Sequence, residues 1–77
     1  MNWVEAAKIG ILVHELAVKY KDLIPKELLN ILDEGIVKRS ADVFAYALYQ
    51  VLRIVHKNNL WNDEIVEKIV ELAHHAI

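Results

Sequence analysis

Few residues in this chain are able to do chemistry. It has four histidines, one serine, no threonine and no cysteine. The nearest approach to a metal motif is Glu71-Leu72-Ala73-His74. Glu-x-x-His spacing puts a carboxylate and an imidazole on one helix face, as in carboxylate-bridged two-metal bundles. A metal-binding bundle built on Glu71 and His74 would need a second chain to supply the other half of the site. Glu71 also shares a charged face with Glu67, Lys68 and His75 at the end of the chain. Histidines there complement the negative end of the helix dipole, and that reading outweighs the metal site.

His14 lies on the apolar side of the first helix in this reading. It is expected to be a core or interface histidine bonded to a backbone carbonyl or a tyrosine hydroxyl. Metal or haem ligation, or a charge that changes with pH, is the functional alternative. There is no Gly-rich phosphate loop and no strand–turn–helix nucleophile, and Ser40 serves as a helix cap. Hydrolytic triads are therefore excluded, no cofactor is implied, and the chain reads as non-enzymatic.

The remaining chemistry is that of recognition. Tyr46, Tyr49, Gln50 and Arg53 share a stripe with Asp42, His56 and Lys57. Tyr49 and Arg53, four apart on a helix, can make a cation–π contact. Tyrosine and arginine beside a wide apolar face is interface composition, the alternative being tyrosine rings at the bundle edge with hydroxyls in water. Leu12, an apolar residue on an otherwise charged stripe of Glu5, Lys8, Glu15 and Lys19, is a second candidate contact. A nucleic-acid reading is also open: a helix-turn-helix in which Lys38 and Arg39 touch phosphates and Gln50 or Arg53 touch bases. Asp42 stands against it, as do the acidic surroundings and a connection that reads as longer than the usual turn.

Four helices must position these groups. Asn2 caps the first, about residues 3–20, with Glu5 placed to complete a capping box; Glu15 and Lys19 form a favourable pair along it. The apolar residues cover so much of its circumference that it must be covered on more than one side. Pro25 opens a short second helix, about 25–34, closed by Gly35 in a left-handed cap with Ile36 as its hydrophobic contact. Ser40 caps the third, about 41–57, the longest apolar segment and the expected centre of the fold. Asn62 caps the fourth, about 62–76, whose apolar face is Ile65, Val66, Ile69, Val70, Ala73, Ala76 and Ile77. Residues 21–29 and 58–66 echo each other weakly, as two copies of a helix–turn–helix unit would.

The expectation is an all-α, four-helix up-and-down bundle of two helical hairpins, a single domain over residues 1–77. The composition is 56% hydrophobic and 26% charged, with a mean hydropathy of +0.23. So small a domain cannot hide that much apolar surface alone, which points to a homodimer or to another protein as partner. A net charge of −2 gives no electrostatic footprint for nucleic acid or anionic lipid. No apolar run reaches the ~18 residues of a membrane span, and the first residues lack the features of a signal peptide. With no cysteine, the chain reads as a cytoplasmic interaction or regulatory module. Its Ile, Val, Lys and Glu content suggests a heat-adapted source.

Overall fold

The computed structural model describes residues 1–76. Four helices follow one another: α1 (Trp3–Lys19), α2 (Lys26–Val37), α3 (Ala41–Lys57) and α4 (Glu64–Ala76). The fold is the expected all-α bundle, with principal extents of 28 × 24 × 17 Å. Helices pack as two pairs, α2 with its chain neighbour α3 and α1 with α4, and a looser contact of α1 with α2 joins the pairs. The weak internal echo suggested α1–α2 and α3–α4 as the units. The pairing of α1 with α4 instead brings residues near the two ends of the sequence together, and the Asn2 amide donates to the Ala76 carbonyl at 2.9 Å.

The helices start on side-chain or turn signals, and α1, α2 and α3 stop on backbone ones. The Asn2 carbonyl side chain accepts from the amides of Val4 (3.1 Å) and Glu5 (3.2 Å), satisfying two of the orphan donors of α1. No capping box forms: Glu5 turns to Lys8 instead, at 3.4 Å. The Ser40 hydroxyl accepts from Val43 N–H at the start of α3. At α4 the cap is Asp63 rather than Asn62, its Oδ1 accepting from Ile65 (2.8 Å) and Val66 (3.3 Å).

The second helix runs one turn further than its sequence suggested. Gly35 stays helical and buried, and the left-handed cap residue is Arg39, with φ of 50°. Ser40 N–H donates to Gly35 C=O (2.9 Å) and Arg39 N–H to Ile36 C=O (3.1 Å), the two bonds of a Schellman motif. Asn59, with φ of 56°, closes α3 in the same way through Leu60 and Val55 (3.0 Å). Only Lys38, Arg39 and Ser40 therefore separate α2 from α3, a shorter turn than expected.

Gly35 is needed for a different reason. A Cβ built on it would lie 2.7 Å from Phe44 N and 3.0 Å from Phe44 Cα. Two backbones meet there with no room for a side chain. Gly10 on α1 meets only the end of the Ile36 side chain, at 2.7 Å from its Cδ1.

One core unites the four helices. Its largest wholly buried side chains are Phe44, Ile9, Leu16, Leu32 and Ile69. Trp3 packs edge-on to Phe44, with ring centroids 6.0 Å apart at 73°. α1 and α3 each bury five residues, so the two share the centre. On α4, Val66, Ile69 and Ala76 are buried and Ile65, Val70 and Ala73 pack partly against them; Ile77 lies outside the described residues. No helix among the described residues is long and apolar enough to cross a membrane.

Candidate protein-interaction surfaces

The α3 stripe is brought together as one exposed face. Tyr46 and Tyr49 are 56% and 61% exposed, with Arg53 and Lys57 exposed below them and Gln50 half-buried between. The Schellman turn at Asn59 folds the chain back so that Trp61 stands beside the last turn of α3. Its indole N–H donates to His56 Nδ1 at 3.2 Å, and the two rings lie 6.2 Å apart. A shallow depression runs from Tyr49 past Arg53 to Trp61. The i,i+5 relation of Trp61 to His56 depends on the left-handed residue Asn59 between them. The cation that does lie over an aromatic ring is Lys19, 5.3 Å from the Tyr20 centroid; no such contact joins Arg53 to Tyr49 among the described residues.

Leu12 is only part-exposed, packed against the edge of the core. The exposed side of α1 is turned toward Val4, Ile11 and Val18 instead. His14 is not a core residue. It is exposed on the wall of a groove between α1 and α2, its Nε2–H donating to both carboxylate oxygens of Asp33 at 2.9 Å. Ala7, Gly10, Ile11, Val18, Ile36 and Val37 supply most of the remaining lining.

Asp63 is the most strongly perturbed titratable group. Its buried carboxylate accepts from Lys19 Nζ at 2.7 Å and from the Tyr20 hydroxyl at 2.6 Å, besides the two capping amides. Lys19 thus spends its charge on α4 and not on Glu15, as a pair along α1 would have required. Those four donors hold the Asp63 carboxyl well below the usual carboxylate range, Lys19 and Tyr20 contributing most. The bond to Asp63 raises Lys19 and Tyr20 in turn. Four donors converge on the one carboxylate, while the Lys19 ammonium stays half exposed to solvent. The work of the cluster is to fasten the end of α1 to the start of α4.

Elsewhere the polar groups are dispersed. Lys38 pairs with Glu34 along α2 (2.9 Å), both exposed, and Arg39 sits exposed at the turn. His74 donates from Nδ1 to Val70 C=O at 2.8 Å, and Glu71 is exposed beside it. Among the described residues no three metal-ligating side chains converge, and no buried side-chain polar atom lacks a partner.

No family model matches the chain, and neither a curated protein nor a solved structure is similar to it. What the molecule offers to others must be read from its own surface. That surface has two unusual regions: the aromatic and basic face of α3, and the aliphatic face shared by α1 and α2.

Proposed function

We propose that this protein is a small, non-enzymatic helical interaction module that self-associates and presents the α3 face to a protein partner. The observation that carries the reading is the pair Tyr46 and Tyr49, both more than half exposed on one face of α3, with Tyr49 lining the same depression as Arg53 and Trp61. Large aromatic rings held on a rigid helix lose little conformational entropy on contact, and arginine adds hydrogen bonds in a fixed fork. Interfaces concentrate these residue types at the points of highest energetic cost on truncation. A photo-crosslinking side chain placed at Tyr49 in the native host tests the reading. A discrete adduct that disappears with Arg53→Ala, and is absent when the probe sits at Lys68 on α4, is the expected result. No adduct at Tyr49 refutes it.

A second reading, nucleic-acid binding through α2 and α3, is favoured by one feature: the three-residue turn of Lys38, Arg39 and Ser40 between the two helices. Lys38 and Arg39 would then meet phosphates while Gln50 and Arg53 reach bases. Asp42, exposed in the first turn of α3, stands where base contacts usually begin. Filter binding with no salt-sensitive retention of duplex DNA ends this reading.

A further inference from the structure

Val4, Ile11 and Val18 are spaced by sevens along α1, and all three stand out of the bundle at 67%, 62% and 77% exposure. Seven residues fall about 20° short of two full helical turns, so the three form one continuous ridge with a slight slant. Val37 of α2, 81% exposed, extends the aliphatic surface across the groove. An open face of β-branched side chains at this spacing is the seam of a helix–helix contact whose second helix is missing.

The charges bordering the ridge say which helix is missing. Helical spacing puts Lys8 and Glu15 on the same flank of the ridge, opposite Ala7 and His14; both are exposed, and Glu15 also borders the mouth of the groove to α2. Along the axis Lys8 lies roughly 4.5 Å before Ile11 and Glu15 roughly 6 Å after it, at 1.5 Å per residue. Lys8 makes only a long, exposed 3.4 Å contact with Glu5, and Glu15 has no ionic partner among the described residues. A two-fold axis crossing the ridge at Ile11 maps the lysine of one copy onto the glutamate of the other, within about 1.5 Å along the axis. It also sets Val4 against Val18 and opposes Ala7, the small residue of the other flank, to the bulkier His14. A parallel arrangement would face Lys8 toward the His14 flank and lose both matches.

We propose that a second copy of this chain docks antiparallel on the α1 ridge, with Ile11 at the two-fold axis and two symmetric Lys8–Glu15 pairs closing one flank. This rests on the self-association reading above and names its face; the α3 surface stays free in the dimer. The occupant is a second copy because the ridge and its charges are complementary to themselves.

Sedimentation equilibrium on the whole chain tests the proposal, with far-UV circular dichroism and melting temperature as checks on folding. Wild type is expected at twice the 8.9 kDa chain mass. Ile11→Glu is expected to be a folded monomer. Lys8→Glu and Glu15→Lys, each alone, set like charges against each other and weaken the dimer roughly tenfold. The double variant restores affinity to within about twofold of wild type, because the swapped charges again face opposites. A wild type that stays monomeric at every concentration overturns the proposal, as does a dimer indifferent to Ile11→Glu, or a double variant no better than the singles. Should Tyr49→Ala with Arg53→Ala dissociate the dimer while Ile11→Glu does not, this face is refuted and the self-contact belongs to α3. Loss of the crosslinked partner at Tyr49, by contrast, refutes the partner-binding reading and leaves the α1 dimer standing.

Discussion

The Tyr20 hydroxyl donates to the Asp63 carboxylate across 2.6 Å, linking residues 43 apart in the chain. With Lys19 on the same oxygen at 2.7 Å, it binds the last turn of α1 to the first turn of α4, the pairing that brings residues near the two ends of the sequence together. The acceptor is at once a helix cap, an ion-pair partner and a hydrogen-bond hub.

Because Asp63 is held below the usual carboxylate range when folded, its contribution to stability is fully present above the unfolded value near pH 4. That contribution is lost as pH falls toward the folded value. Lys19 and Tyr20 are raised instead, so theirs is present below about pH 10 and is lost as pH rises through their folded values. Stability is therefore expected to be flat between about pH 4 and pH 10 as far as this cluster is concerned. Asp63→Asn keeps a capping side chain but is expected to flatten the acid limb below pH 4 in thermal melts. An acid limb unchanged from wild type refutes the assignment. Asp63→Ala, which removes the cap as well, is expected to cost about 1–2 kcal/mol from the cap alone.

The two glycines should respond differently to alanine. At Gly35 the new methyl meets the backbone of Phe44, and α2 and α3 must separate, at a cost of about 1–3 kcal/mol. At Gly10 it meets only the end of the Ile36 side chain, which can rotate away, while the helix gains about 1 kcal/mol of propensity. Chemical denaturation is expected to show Gly35→Ala clearly destabilised and Gly10→Ala within about 1 kcal/mol of wild type. A reversed order would mean that the α2–α3 approach is looser than the structure has it.

Arg39 occupies the left-handed position of the α2 cap at φ of 50°, a conformation that costs a residue with a Cβ about 1 kcal/mol. Arg39→Gly is expected to stabilise the fold by roughly 0.5 kcal/mol, the relief of strain exceeding the added freedom of the unfolded chain. The change in denaturation midpoint, at constant slope, is the measurement. A destabilised variant would mean that the arginine side chain contributes more than its backbone strain costs.

Tyr49→Ala combined with Arg53→Ala should leave the melting temperature nearly unchanged, since both side chains are exposed and Arg53 has no ionic partner among the described residues. The same variant is expected to lose the photo-crosslinked partner when the probe is moved to Tyr46. A melting temperature lowered by more than about 4 °C would assign the two residues to folding instead.

Local signals in the sequence determined the helices themselves. Asn2 and Ser40 cap where short polar side chains before an apolar run should, and the α3 range matches its sequence reading residue for residue. The excess of apolar residues over what a small domain can bury was also legible, and it reappears as exposed Val4, Ile11, Val18, Tyr46 and Tyr49. Tertiary structure alone decided which face of α1 is open. Helical periodicity fixes which residues share a face, but on a helix apolar nearly all round it does not say which face meets a neighbour. Leu12 came to lie partly against the core, and the packing of α2 left His14 at a groove edge beside Asp33. The caps at Asp63 and Arg39 were hidden for a related reason. Asn62 and Asp63 are both competent caps, and contact with Lys19 and Tyr20 from a distant turn selects the aspartate. Gly35 is a competent helix stop, and the close approach of Phe44 holds it inside the helix instead.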